Sequence, residues 1–217
     1  ETSIDYPTIE KRIEKSIKCT ILSPYQARKI RKIGDEEWTD VLGGKVDATR
    51  GYRCYSKKYE NKFIDIIFYD GPISSSIGFE DVLHDSGKFI GKLKLPVNHE
   101  AKHDQIINVA TDGETYGHHK KFADLTLTHL LFEVAEKEGF IVTNYAEYLS
   151  KYQPEYEVDV NDGTGEGTAW SCAHGVDRWK ADCGCNTGSG FGNQKWRAPL
   201  RNGLNELRDK AKKVFEK

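Results

Sequence analysis

The sequence alternates between short β-favouring runs and helical patterns, and this alternation constrains the fold most. Its clearest run, Phe63-Ile-Asp-Ile-Ile-Phe68, has the apolar, β-branched character of a buried strand. A polar stretch joins it to a run at 50–55, which predicts a hairpin or an insertion that carries a second strand. Further strands are predicted at 18–23, 105–110 and 140–143. Strands separated by helices favour an α/β fold with a parallel sheet, whose active site lies at the carboxyl ends of the strands.

Helical periodicity and capping residues predict the intervening elements. Asp5 precedes Pro7 as an N-cap, and Gly139 ends a long helical pattern as a C-cap. The predicted helices cover residues 6–16, 26–33, 79–83, 118–138, 144–152 and 199–215. About four or five strands are fewer than a closed barrel requires. Since the chain also contains no Met, we expect it to be a piece of a longer polypeptide whose upstream part completes the fold.

The composition is that of an ordinary globular protein. Of 217 residues, 37% are hydrophobic and 30% are charged, and the formal net charge is -2. This balance excludes a disordered chain, and it lacks the basic excess of a nucleic-acid-binding domain. No apolar run approaches the roughly 20 residues of a bilayer span. From the charge balance we expect no nucleic-acid partner, and from the lack of such a run we expect no membrane partner. Five cysteines are an odd number for a disulfide framework, which favours a reducing, cytoplasmic setting.

Two carboxylates and two imidazoles follow a predicted strand within the stretch Thr111-Asp-Gly-Glu-Thr-Tyr-Gly-His-His119. Glycosidic cleavage needs one carboxylic acid to protonate the leaving oxygen and a second carboxylate to attack carbon or activate water. Asp112 and Glu114 are candidates for this chemistry, or they only cap the following helix. Asp112, His118 and His119 are also a workable ligand set for a divalent ion, as in a metal-dependent hydrolase such as a sugar deacetylase.

A second set of candidates lies in a segment rich in Gly and aromatic residues at 161–192. Trp170 and Trp179 offer flat apolar faces that suit sugar rings, and His174 offers a hydrogen-bonding group. The alternative is that these rings are buried beneath a loop.

The same segment contains a Cys-x-His pair, Cys172 and His174, and a Cys-x-Cys pair, Cys183 and Cys185. Thiolates and imidazoles ligate zinc, but zinc pairs usually have about two to four residues between the ligands. We therefore name no metal ligand among the site residues, and zinc binding by these four residues stays an alternative.

These residues resemble glycoside hydrolase family 57, the α-amylase and glucan-transferase family with a seven-stranded (β/α) barrel. The stretch 112–119 is similar to the catalytic-acid region of that family. Nearly the whole chain resembles one uncharacterised bacterial and archaeal subgroup, at 1–5, 20–27, 170–175, 182–185 and 196–197. The resemblance implies that 1–160 is the C-terminal part of such a barrel. Residues 161–217 would then be an active-site loop and a helical segment of the same domain.

The resemblance also implies roles for individual residues. Glu1 matches the nucleophile and Asp112 the general acid/base, and His119 replaces the Trp that the family usually has there. The implied substrate-binding residues are Glu114, Tyr116, His118, His119, Trp170, His174 and Trp179.

The implied function is a retaining glycoside hydrolase or 4-α-glucanotransferase that acts on an α-glucan oligosaccharide or polysaccharide and needs no cofactor. Its two carboxyl groups would stand about 5 to 5.5 Å apart. Because the chain begins at its own nucleophile, we expect little or no activity from it alone. A non-catalytic sugar-binding relative is a further interpretation.

Overall fold

The computed structural model describes residues 3–186, 188 and 192–216. Its strands are β1 (Ser3–Ile4), β2 (Cys19–Leu22), β3 (Ala27–Lys32), β4 (Thr39–Asp40), β5 (Gly51–Tyr55), β6 (Phe63–Phe68), β7 (Tyr156–Val160) and β8 (Thr168–Ala169). Its α-helices are α1 (Tyr6–Glu14), α2 (Gly71–Phe79), α3 (Ser86–Lys94), α4 (Ala123–His129), α5 (Tyr145–Lys151) and α6 (Arg197–Phe215). Among these helices, none combines the length and the apolar character needed to cross a membrane.

Six strands form one mixed sheet in the order β2-β6-β5-β7-β3-β4. β6 runs parallel to β2 and antiparallel to β5, which confirms the predicted hairpin. β7 runs parallel to β5 and antiparallel to β3. The prediction of a parallel sheet is therefore wrong, because the hairpin reverses the chain direction within the sheet. Over the described residues the sheet stays open and closes into no barrel.

The main core lies between this sheet and α1. Ile9 of α1 packs with Ile64, Ile66 and Phe68 of β6, and all four side chains are fully buried. The sequence predicts these two elements well, since both have a one-sided or continuous apolar pattern. The predicted cap is also confirmed, because the Asp5 carboxylate accepts a hydrogen bond from the Thr8 N–H at 2.7 Å.

A second core lies among α2, α3 and α4. Ile77, Phe89 and Leu130 form its centre, and Tyr116 packs against it with part of its ring. Two N-caps set the starts of α2 and α3, since Asp70 accepts from the Ile73 N–H and Asp85 from the Lys88 N–H. These caps place residues 79–83 at the junction of two helices, so the helix predicted there is wrong.

The helix predicted at 26–33 is wrong, because residues Ala27–Lys32 form β3. The stretch is rich in helix-forming Ala, Arg and Lys, but β3 pairs with β7 on one side and β4 on the other. Arg31 also donates to Glu157 of β7 at 2.7 Å. Tertiary pairing overrides the local helical preference here.

The prediction of a strand at 105–110 is wrong, because this stretch forms no ladder. It runs past the end of β6 and is held by single hydrogen bonds. The Ile106 N–H donates to the Thr49 carbonyl at 2.8 Å. The Asn108 side chain donates to the Phe68 carbonyl at 3.2 Å. The stretch therefore still leads the chain to the carboxyl end of β6.

The long helical pattern predicted at 118–138 is helical only from α4 onward. It continues as a π-helical turn, Leu130–Val134, and a 3-10 turn, Glu136–Glu138. Gly139 ends it with φ 82°, which confirms the predicted C-cap. The predicted strand at 140–143 is absent from the described residues, and Ile141 is 86% exposed. The predicted helices at 144–152 and 199–215 are confirmed as α5 and α6.

Two glycines bring the segment after β7 against the start of the chain. Gly175 has φ +72°, and a Cβ built there would lie 2.7 Å from the Gly167 carbonyl oxygen. A Cβ built on Gly167 would in turn lie 3.2 Å from the Ile4 carbonyl oxygen of β1. No side chain fits between these backbones, so the segment depends on glycine at 175.

A Gly175→Ala substitution should loosen this segment, because the new methyl group collides with Gly167 and the φ is unfavourable for Ala. We expect faster limited proteolysis between 161 and 196, and a loss of about 1 to 3 kcal/mol in the free energy of unfolding.

The matched control is Gly203→Ala in α6, where the new methyl group has open space. It should stabilise the chain by up to about 1 kcal/mol, because Ala favours a helix over Gly. Equal proteolysis of the two variants would contradict the packing described for Gly175.

Asp47 orders the loop that receives residue 106. Its carboxylate accepts hydrogen bonds from the Thr49 N–H at 2.9 Å, the Thr49 hydroxyl at 2.6 Å and the Arg50 Nε at 2.9 Å. Partial burial raises the pKa of this carboxyl, but the hydrogen bonds from Thr49 and the Arg50 charge outweigh it. The pKa therefore lies below its ordinary value of 3.8.

A group with a lowered pKa in the folded state stabilises the fold above its unfolded pKa, and this contribution is lost as the pH falls. Wild-type stability should therefore decline below pH 3.8 as Asp47 takes up a proton. Asp47→Asn should lower stability near neutral pH and flatten this acid limb, measured as urea midpoints from about pH 3 to pH 7. An equally steep loss of stability at acid pH in the variant would contradict this role. His103 also faces Asp47, with its Nε2 3.9 Å from the Asp47 carboxylate.

Candidate functional site

Asp112 lies in a loop at the carboxyl end of β6. Asn108 holds the preceding stretch to the end of β6, and the Ala110 N–H donates to the Ser74 hydroxyl of α2 at 3.0 Å. Asp112 is exposed and precedes a 3-10 turn, Gly113–Thr115, but its side chain makes no capping hydrogen bond to that turn. The carboxyl group is therefore presented outward rather than used as a cap.

Glu114, His118 and His119 form a compact exposed group beside Asp112. The Glu114 Oε2 lies 3.5 Å from the His118 Nδ1 and 3.3 Å from the His119 Nε2. The two imidazole rings stack with centroids 5.1 Å apart. In this loop, the side chains whose ligand atoms lie within 4.8 Å of one another are Glu114, His118 and His119, with Glu114 in place of the predicted Asp112. The ligand set expected for a metal-dependent hydrolase is therefore not the one that the structure brings together.

Tyr116 joins this loop to the second core. Its ring is half-buried against α2, α3 and α4, and its hydroxyl lies 3.1 Å from the Thr111 hydroxyl. Lys120 fixes the other end of the loop, because its ammonium donates to the Ile77 carbonyl of α2 at 2.8 Å. The loop around Asp112 is thus attached at both ends to one helix.

The second set of predicted residues lies on a different part of the chain. Trp170 is 55% exposed and Trp179 is half-buried, with the Trp179 carbonyl accepting from Arg201 of α6 at 3.2 Å. None of the described side-chain hydrogen bonds or ion pairs joins this set to the Asp112 loop. Glu1, the predicted nucleophile, lies outside the described residues.

The structure brings three thiol sulfurs together with one ring nitrogen of His174. Its Nδ1 lies 3.5 Å from the Cys185 Sγ and 4.0 Å from the Cys172 Sγ. The Cys172 Sγ lies 3.9 Å from the Cys183 Sγ and 3.8 Å from the Cys185 Sγ. The sequence motif identifies all four residues, but only the fold shows that the two pairs meet.

The charges around these thiols are uneven. The Cys185 backbone N–H lowers the pKa of the Cys183 thiol, and the nearby Arg197 guanidinium acts in the same direction. A side-chain hydrogen bond with Cys172 raises the pKa of the Cys185 thiol, and repulsion between neighbouring thiolates acts in the same direction. Cys54 differs, since burial raises its pKa to about 12 and makes it an inert core thiol.

Comparisons with known proteins agree with the resemblance in the motifs. The sequence model of Glycosyl hydrolase family 57 matches residues 21–161, which include the whole loop at 111–119. No curated protein matches the chain.

Among solved structures, the crystal structure of 4-alpha-glucanotransferase from Thermococcus litoralis is similar, with a TM-score of 0.51 and 16% sequence identity. The match covers 73% of this chain and 23% of that chain, so this chain spans about a quarter of that enzyme's length. At this identity the likeness concerns the fold alone. The family match covers more than half of the sequence, and the chain belongs to glycosyl hydrolase family 57.

Proposed function

We propose that the full-length protein carrying this chain is a retaining glycoside hydrolase or 4-α-glucanotransferase that acts on an α-glucan. Membership of family 57 supports a carbohydrate-active enzyme. The observation that carries the proposal is the exposed Asp112 carboxyl at the carboxyl end of β6, inside the matched region. In α/β folds, this end of the strands is where ligands bind.

In the proposed reaction, Asp112 is the general acid/base and Glu1 the nucleophile. The Glu1 carboxylate attacks the anomeric carbon while the Asp112 carboxylic acid gives its proton to the departing glycosidic oxygen. Asp112 then takes a proton from water or from an acceptor hydroxyl, which attacks the anomeric carbon and releases Glu1. Water gives hydrolysis, and a sugar hydroxyl gives transfer. This mechanism places the two carboxyl groups about 5 to 5.5 Å apart.

The neighbours of Asp112 fit a sugar-binding role. Glu114 and the exposed imidazoles of His118 and His119 can hydrogen-bond to sugar hydroxyls, and the half-buried Tyr116 ring gives an apolar edge. We also propose that Trp170 and Trp179 border the substrate in the complete fold, whereas the imidazole of His174 faces the thiols of Cys172 and Cys185.

The open sheet fits the same proposal. We propose that the open sheet contributes some of the strands of a seven-stranded barrel, which sequence outside this chain completes. The match to about a quarter of a larger enzyme supports this view. The chain alone should then show little or no activity.

Asp112→Asn in the full-length protein tests the assignment. The variant should lose about 10²- to 10⁴-fold in kcat/KM on α-glucans, since the amide cannot donate a proton to the leaving oxygen. The loss should be smaller on an aryl glycoside whose leaving group needs no proton. Steady-state kinetics on both substrate classes measure the difference.

Matched variants and a chelator sharpen this test. Glu1→Gln should remove activity on both substrate classes, because nucleophilic attack is needed for each. Glu60→Gln, an acid-to-amide change at an exposed position before β6, at the opposite end of that strand from the Asp112 loop, should leave the kinetics unchanged. Full activity of Asp112→Asn would contradict the proposal. Loss of wild-type activity with EDTA, without faster limited proteolysis between 161 and 196, would favour metal chemistry at Glu114, His118 and His119 instead.

A further inference from the structure

The Cys172, His174, Cys183 and Cys185 group has the dimensions of a tetrahedral metal site. A zinc ion with Zn–S of about 2.3 Å and Zn–N of about 2.0 to 2.1 Å places sulfurs about 3.8 Å apart and sulfur and nitrogen about 3.6 Å apart. The two measured sulfur–sulfur distances are 3.8 and 3.9 Å. The two measured sulfur–nitrogen distances are 3.5 and 4.0 Å. All four ligand atoms lie within 4.8 Å of one another.

Other chemistry fits these distances less well. A disulfide requires about 2.05 Å between sulfurs, and all five cysteines of the chain are unbridged. Ligand atoms this close together enclose a single ion rather than a multi-iron cluster. Three thiolates and one imidazole are ligands that zinc prefers, whereas magnesium and calcium prefer oxygen.

Arg197, the first residue of α6, contacts two of the four candidate ligand residues. Its guanidinium donates to the Cys183 Sγ at 3.5 Å and to the Cys185 carbonyl at 2.5 Å, and only 7% of the residue is exposed. Three thiolates and a neutral imidazole around a divalent zinc ion leave one net negative charge. The buried guanidinium compensates that charge and orients one ligand, as outer partners of metal sites do.

We propose that Cys172, His174, Cys183 and Cys185 bind one zinc ion. Four protein ligands leave no open position, so the site is structural rather than catalytic. The ion joins the 172–174 turn to the 183–185 turn and, through Arg197, to the start of α6. It thereby fixes the segment that carries Trp170 and Trp179. Zinc binding at this site does not depend on the chemistry proposed for Asp112.

Metal content of the purified protein tests this site without any activity assay. Elemental mass spectrometry should find equimolar zinc in the wild type after growth in zinc-containing medium. Cys183→Ser and Cys185→Ser should lower the zinc content at least tenfold. Cys19→Ser is the matched control and should keep equimolar zinc, because Cys19 lies in β2 and is not a member of the group.

A second measurement does not depend on the folding of the variants. Wild-type protein stripped of metal and given cobalt(II) should show the intense visible absorption of tetrahedral thiolate coordination. Wild-type protein with no bound zinc, with iron in its place, or with a disulfide among these cysteines would overturn the proposal. A cobalt spectrum typical of octahedral oxygen ligands would overturn it too.

Discussion

The pairing of β6 on both of its edges is the constraint on which the rest of the structure depends. β2 and β5 satisfy its backbone, and Ile64, Ile66, Ile67 and Phe68 are all fully buried. Because hydrogen bonds hold both edges of β6 and packing holds both of its faces, the position of its carboxyl end is fixed. The Phe68 carbonyl at that end receives the Asn108 side chain, which sets where the chain enters the Asp112 loop. The position of the candidate acid is therefore a consequence of the core.

Local signals in the sequence predict those elements whose stability is also local. α1 has an Asp cap, an early Pro and one apolar face, and β6 is a continuous apolar run, so both can be found without knowledge of partners. β3 cannot be found in this way, because its residues favour a helix and only pairing with β7 makes them a strand. The stretch at 105–110 shows the opposite error, since Ile106 is buried but the backbone is held by single hydrogen bonds rather than by a ladder.

The two candidate sites differ in how far the sequence predicts them. The residues of the Asp112 loop are contiguous, so a motif contains most of that site, although the pairing of Glu114 with both imidazoles depends on how the loop folds. The thiol group is made of two pairs separated by residues 175–182. The turn that brings the pairs together requires the glycine at 175, whose Cβ would strike the Gly167 carbonyl. The single residue between the members of each pair argues against zinc, but the folded turn brings the four ligands together.

The far edge of the sheet has a consequence for the behaviour of this chain on its own at high concentration. β4 has only two residues, both exposed, and beyond β3 it ends the sheet. Trp38 lies just before it, covered by the cations of Lys29 and Arg31. A long, flat edge is a template on which a second chain can add a strand. An edge this short and this charged offers few backbone groups to a neighbour, so it protects the sheet against self-association into fibres.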